Sequence, residues 1–473
     1  MDEGKLTILI LLDFSAAFNS IDLEIMEKKL ECEFNFSVDA VNWVHSYLHG
    51  RKQRVISAES ASDWLDVEKS VPAGSVFSPL CFTLYTKSLT KILSPDICHH
   101  SFADDIQLYQ SCKINEINET IASINVQLNR VETWANRHGF ILNAGKTQAI
   151  IVGSARLLRS LDFNNLPKLY IRNEEVAFTK TVKNLGIFID EDLSWESQVQ
   201  ATCKKVYGSL HALNRAKNFL PQESRKILVN ALIMPLFDYC DVVQLDMSKT
   251  LLDKLQKCQN SCVRFVCGSK RRDHITPFYK ELSWLKLEER RKLHIATLIF
   301  KILKTETPSY LSSQFKYLSS FHNLNTRSGN RLCIPPHRTN FFNKSFLVAG
   351  TRLWNSVDSE IRELNSVESF RGAIGGNLSE CVNECVFFLY CFNNEKDDCV
   401  FFCFIKTKKM LFYIQVSRKS GPRVQYSPQK FTRLYFVIHK DVYLSIYLSI
   451  IWRYYQPTAS SFRAKCFRTT VMV

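Results

Sequence analysis

Apolar positions in the first 190 residues alternate between continuous runs and runs at helical spacing. KLTILILL, which ends just before Asp13, is a near-continuous Leu/Ile run and predicts a buried strand in a covered sheet. SAAFNSIDLEIMEKKLE follows with the spacing of a helix, and HSFADDIQLYQ reads as an apolar hairpin. Ile117, Ile121, Ile124, Leu128 and Val131 recur at intervals of four and three, which predicts an amphipathic helix stopped by Gly139. TQAIIVG and KNLGIFID read as further strands. Strands and helices mixed in this order predict an α+β domain built on one sheet.

From Ser194 to about Lys304 the pattern is almost wholly helical, with Pro221 where one helix begins and Gly268 where another ends. From Pro308 to Ile374 it is loopier, with the basic stretch RSGNRLCIPPHR and a short helix near Ser366–Phe370. The division is therefore 1–193, 194–305, 306–374 and a tail, 375–473. The tail has no clean helical or strand period and contains VYLSIYLSII, a tandem four-residue repeat. A tetranucleotide microsatellite translated in one frame gives such a repeat, so the tail reads as translated non-coding sequence. Its Cys381, Cys385, Cys399 and Cys403 form CxxxC pairs, but the aromatic setting without turn residues argues against zinc.

The chain has 473 residues, room for two or three domains, and 46% hydrophobic with 23% charged residues excludes a disordered, collagenous or coiled-coil protein. Lys and Arg number 61 against 46 Asp and Glu, a formal charge of +15. That excess suits a polyanionic partner, although an ordinary basic protein would show it too. Sixteen cysteines without a signal peptide suggest free thiols in a reducing compartment. No uncharged apolar run is long enough to span a bilayer, so the expectation is a soluble intracellular protein, nuclear or cytoplasmic, with no membrane partner.

Candidate chemistry starts at Asp13, at the end of the first apolar run; alone it reads as a helix cap. Asp104 and Asp105 lie between two apolar stretches, where acidic residues commonly make a turn. A strand-end Asp combined with a hairpin Asp-Asp is the arrangement that holds two divalent ions for nucleotidyl transfer. Oxygen-only carboxylate ligands suit Mg²⁺.

LLDFSAAFNSID, VPAGSVFSPLCFTLY, FADD, LNAGKT and VKNLGIFID occur in the order and at the spacing of the palm motifs of reverse transcriptases. Their spelling resembles the non-LTR (LINE-type, jockey-like) retrotransposon branch. RLWNSVDSEIRE and SFRGAI resemble the segment after the polymerase core in those elements. The resemblance implies an α+β palm, an antiparallel sheet with packed helices, followed by a helical thumb and a C-terminal region. It implies an RNA-directed DNA polymerase using two Mg²⁺ (or Mn²⁺) ions, an RNA template, a DNA primer and deoxynucleoside triphosphates.

The resemblance also assigns roles. Asp13 and Asp104 match the metal ligands, and Asp105 the neighbouring helper carboxylate. Phe18 matches the aromatic gate that clashes with a ribose 2′-hydroxyl, and it also reads as a core residue of its helix. Pro72, Gly74 and Ser75 match the turn along the incoming nucleotide and template. Lys146 matches the lysine that protonates leaving pyrophosphate, and also reads as a solvated surface lysine. Leu185 and Gly186 match the primer grip, or a plain hairpin. The sequence departs from the family pattern at Ala73, where Gln is expected, at Asn19, where Asp is expected, and at Phe102, where Tyr is usual. Met1 stands only twelve residues before Asp13, so the chain reads as the back part of an element's polyprotein, without its fingers. The alternative function is a catalytically inactive nucleic-acid-binding remnant or a decayed reading frame.

Two smaller signals remain. Cys258, Cys262, Cys267 and His274 loosely resemble a zinc knuckle, but Cys258 and Cys262 share a helix face and read better as core. Lys270–Arg272 and Arg290–Lys292 read as a phosphate-contact patch or as solvated faces.

Overall fold

The computed structural model describes residues 2–56, 61–72, 74–320, 329–375, 389–393, 399–406 and 411–416. The chain divides into two compact units, one containing Lys5–Leu185 and the other containing Met1–Gly4 and Gly186–Ser427.

The first unit is built on four strands, β1 (Leu6–Leu12), β2 (Cys98–Phe102), β3 (Asp105–Cys112) and β4 (Gln148–Val152). Their order is β2-β3-β1-β4 and every neighbouring pair is antiparallel. The Leu/Ile run of β1 predicts a covered strand, but its two faces differ. Leu6, Ile8, Ile10 and Leu12 are buried, while Thr7, Leu9 and Leu11 between them are only half-buried. Antiparallel sheets commonly cover one face and leave the other open, whatever the hydrophobicity of the open face.

Helices α1 (Leu23–Cys32), α2 (Val38–Leu48), α3 (Ser78–Thr86) and α4 (Ile117–Arg137) pack their buried faces into this core. The predicted single helix after β1 is broken. Ala17–Ser20 forms a 3₁₀ turn, and α1 begins only after Asp22, whose Oδ1 accepts the Ile25 N–H at 3.2 Å. That bond satisfies an orphan donor of the first helical turn, so the helix starts there. In α4 the predicted stripe is the buried one, and Gly139 follows the helix in the left-handed region.

The second unit is helical through α5 (Glu196–Asn214), α6 (Gln222–Leu232), α7 (Lys249–Cys267) and α8 (Leu287–Thr305). Pro221 precedes α6, and Gly268 terminates α7 at φ 70. Cys258 and Cys262 are buried in the α5–α7 core, and Cys258 Sγ lies 3.3 Å from Cys203 Sγ of α5. A second core forms around Phe300 of α8. Phe370 stacks on it at 4.2 Å between ring centroids, with Trp354 alongside. Arg290 does not serve as a free phosphate contact, because its Nε and Nη2 donate to the two Asp238 carboxylate oxygens, at 2.5 and 2.6 Å. Arg291 is buried, and Lys292 pairs with Glu288 at 2.8 Å. Lys270, Arg271 and Arg272 remain exposed.

In the tail, Leu389–Asn393, Cys399–Lys406 and Leu411–Val416 form a three-stranded antiparallel meander. The sequence shows no strand period there, yet aromatic and β-branched runs such as CVFFCFIK have strand-forming composition. Cys381, Cys385 and the YLSIYLSI repeat lie outside the described residues. No helix among the described residues is long and apolar enough to cross a membrane.

Candidate active site

The register of the sheet brings the acidic residues together. Leu12 is opposite Ile106, so continuing the β1–β3 ladder by one residue sets Asp13 against Asp105. On the other side Phe102 pairs with Asp105, which leaves Ala103 and Asp104 as the two-residue turn. Ala103 takes φ 52, the left-handed backbone that such tight turns require. Asp13 and Asp105 therefore emerge on the open face of the sheet, beside the Asp104 turn.

Asp13 does not act as a helix cap. Its Oδ1 is buried and accepts no hydrogen bond. Burial pushes its carboxyl above the ordinary range; nearby Lys146 opposes the shift and the Asp104 charge adds to it. The Asp105 carboxyl is also raised, by partial desolvation first and then by the charges of Asp104 and Asp13. A buried carboxylate oxygen without a donor, crowded by like charges, is costly unless a positive group completes it. The donor set is oxygen-only, so these residues fit a divalent cation.

A turn that the sequence signals only as LNAGKT holds Asp13 in place. The Asn143 N–H donates to the Asp13 carbonyl at 2.9 Å, and the Asp13 N–H donates to Thr147 Oγ1 at 3.4 Å. Thr147 Oγ1 donates in turn to the Asn143 carbonyl at 2.8 Å, and Asn143 Oδ1 accepts the Lys146 N–H at 3.1 Å. Sequence reasoning misses Asn143 and Thr147. Their signal is the Asn-Ala-Gly-Lys-Thr turn immediately before a strand, where Asn and Thr side chains bond local backbone. Lys146 is exposed, and its charge is felt at Asp13.

Phe18 is half-buried against the core and stacks on Phe82 at 4.4 Å. Its carbonyl accepts the Val71 N–H at 3.4 Å, which ties the 3₁₀ turn to the segment leading into Pro72. The Pro72 carbonyl accepts the Ser75 N–H at 3.2 Å, and Gly74 sits at φ 79. A positive φ at the third position is that of a type II turn, which favours glycine. Ser75 Oγ accepts the Ser78 N–H at 3.0 Å and so caps the start of α3. Ala73 lies outside the described residues.

Leu185 and Gly186 both have positive φ, 45 and 86, and are flanked by the short strands Thr181–Asn184 and Ile187–Asp190. The first of these strands is pinned to the sheet. Gln148 Oε1 accepts the Lys183 N–H at 2.9 Å, and Gln107 Nε2 donates to Asn184 Oδ1 at 2.9 Å. A Cβ on Gly186 would meet the Tyr239 ring at 3.4 Å, so both backbone angle and space favour glycine there.

An antiparallel sheet that gathers strand-end and hairpin carboxylates on its open face is an arrangement that can hold divalent cations for nucleotidyl transfer. Residues 1–189 match the family model described as reverse transcriptase (RNA-dependent DNA polymerase). Over 235 residues the chain is 22% identical to the RNA-directed DNA polymerase from mobile element jockey of Drosophila funebris, covering 48% of this chain and 25% of that protein. It is 23% identical over 308 residues to the probable RNA-directed DNA polymerase from transposon BS of Drosophila melanogaster, covering 62% and 32%. A third relative is the Pol polyprotein of the type-1 retrotransposable element R1 of Bradysia coprophila, at 24% over 301 residues, covering 61% and 29%. Residues 1–189 are thus a reverse transcriptase domain of the kind carried by non-LTR retrotransposons. The chain spans about a quarter to a third of the length of the relatives it matches. Among solved structures it resembles a Candida tropicalis telomerase, at TM-score 0.30 and 12% identity, over 59% of this chain and 49% of that one.

Proposed function

We propose that this domain copies RNA into DNA by adding deoxynucleotides to a primer 3′-hydroxyl. The observation that carries the proposal is the sheet register that sets Asp13 against Asp105, beside the Ala103–Asp104 turn, with an Asp13 oxygen buried and unpartnered. Asp13 and Asp104 would hold the divalent cations, Mg²⁺ by the hardness of the donor set, and Asp105 would add negative charge beside them. Bound cations supply activation of the attacking hydroxyl and neutralisation of the leaving pyrophosphate.

The remaining residues have positioning roles. Lys146 sets a positive charge near Asp13, where it can donate a proton to departing pyrophosphate. Phe18 presents a ring edge that disfavours a ribose 2′-hydroxyl, and its stacking on Phe82 keeps that ring from yielding. Gly74 lets the backbone beside Ser75 approach the nucleotide closely. Leu185 and Gly186 hold the primer end, with the strand before them anchored by Gln148 and Gln107.

Primer extension on an RNA template with Mg²⁺ and deoxynucleotides tests this reading. Extension should fall by at least ~10²-fold in Asp104→Ala, since the site's electrostatics are the main source of rate. Binding of the primer–template should persist and weaken steeply with salt. Lys270→Ala with Arg272→Ala should flatten that salt slope by about one unit for each phosphate that is no longer neutralised. Equal extension by wild type and Asp104→Ala would remove the assignment.

A further inference from the structure

A second set of convergent donors lies away from the acidic site, between α1 and α2. Glu27 on α1 faces His45 and His49, which are one helical turn apart on α2 and its C-terminal cap. His45 Nδ1 lies 2.9 Å, and His49 Nε2 2.8 Å, from the same Glu27 oxygen, Oε1. The two imidazole rings stack at 4.0 Å, so their nitrogens approach one point from parallel planes. All three donor atoms lie within 4.8 Å of one another.

We propose that Glu27, His45 and His49 form a binding site for a borderline divalent transition-metal ion, Zn²⁺ in particular. Two imidazoles and one carboxylate are a donor set that Zn²⁺ accepts and Mg²⁺ or Ca²⁺ does not favour. His side chains four apart on a helix present nitrogens to one side of it, and the third donor comes from the neighbouring helix. The His45 side chain is 55% exposed, which leaves an entry path and a solvent position to complete the coordination. Both helices are rooted in one core through Met26 and Leu30 on α1 and Val44 and Leu48 on α2, so a bound ion would clamp a packed pair.

The other three-donor group among the described residues is Asp238, Asp241 and His294. It lacks this capacity, because Arg290 already occupies both Asp238 oxygens. No Lys or Arg among the described residues pairs with Glu27.

The test uses the whole purified chain, stripped of metal, with Zn²⁺ and Mg²⁺ as probes. Carbethoxylation of His45 and His49, read residue by residue by mass spectrometry, should be blocked by Zn²⁺ and unaffected by Mg²⁺. Co²⁺ titration should show one more bound ion per chain in wild type than in His49→Gln. Removing a ligand outright should weaken that ion by more than the roughly tenfold that losing an outer-sphere partner costs. Undiminished modification of both histidines in saturating Zn²⁺ overturns the proposal, and this readout needs no variant to fold. Identical Co²⁺ uptake in wild type and a folded His49→Gln overturns it as well. Neither result bears on primer extension, so the polymerase reading stands or falls separately.

Discussion

Asn143 and Asp13 are bound to each other through their backbones: the Asn143 N–H donates to the Asp13 carbonyl at 2.9 Å, and Thr147 closes the loop from the other side. The acidic strand end is thereby fixed by a turn about 130 positions away in sequence. Thr147→Val keeps the shape but removes the hydroxyl that bridges Asp13 and Asn143. Stability should drop by about 1 kcal/mol, the ordinary worth of one such bond. Primer extension should drop further than stability explains, because a displaced Asp13 misplaces what it holds. Thermal unfolding and extension measured on the same preparation check this; unchanged extension would mean that the turn does not position Asp13.

Asp13→Asn should separate function from stability. The native carboxyl is half-buried, raised by desolvation and crowded by Asp104, with one buried oxygen unpartnered. A neutral amide of equal size relieves both costs, so the melting temperature without metal should stay level or rise. Extension should be lost. A clear fall in melting temperature would show that the carboxylate is structural.

The thiols of Cys203 and Cys262 are pushed up to about 12 by burial. At pH 8 their thiolate fraction is negligible, and the thiolate is the reacting form. An alkylating reagent should modify the exposed Cys32 and Cys98 first and reach Cys203, Cys258 and Cys262 only on unfolding. Mass spectrometry of native and denatured samples checks the order. Prompt native labelling of Cys262 would contradict its place in the core.

Tyr85 gives a pH dependence of definite sign. Its hydroxyl donates to the His138 carbonyl at 2.8 Å, and burial pushes its pKa up to about 12 from the ordinary 10. The folded state then keeps a proton that the unfolded chain releases, so this contribution is complete below pH 10 and declines from there to about 12. Tyr85→Phe should cost about 1 to 2 kcal/mol at neutral pH, and the gap to wild type should narrow across that alkaline interval. Chemical denaturation at pH 8 and pH 11 measures it.

Much of the fold is legible in the sequence because it depends on near neighbours. The stripe from Ile117 to Val131, the stop at Gly139 and the start after Pro221 follow from periodicity and backbone limits within a few residues. The ordered motifs point to Asp13, Asp104, Asp105 and Lys146 for the same reason: each is a short string read in place. The interruption before α1 escapes such a reading because Asp22 caps a helix within what is otherwise one apolar pattern.

Partners distant in sequence are decided by the tertiary structure alone. In sequence Arg290 and Lys292 are equally available cations, yet Arg290 meets Asp238 across 52 positions and is neutralised there. Nothing in sequence gives His45 and His49 a role, and only the packing of α2 on α1 sets Glu27 between them. The Leu/Ile run leaves both faces of β1 alike, and the antiparallel pairing makes one of them the open face where the acidic residues emerge. Composition and period determine which elements form, because those depend on local backbone and side-chain preferences. Which charges meet, and which stay unpartnered, depends on register and packing between segments, and no local pattern encodes that.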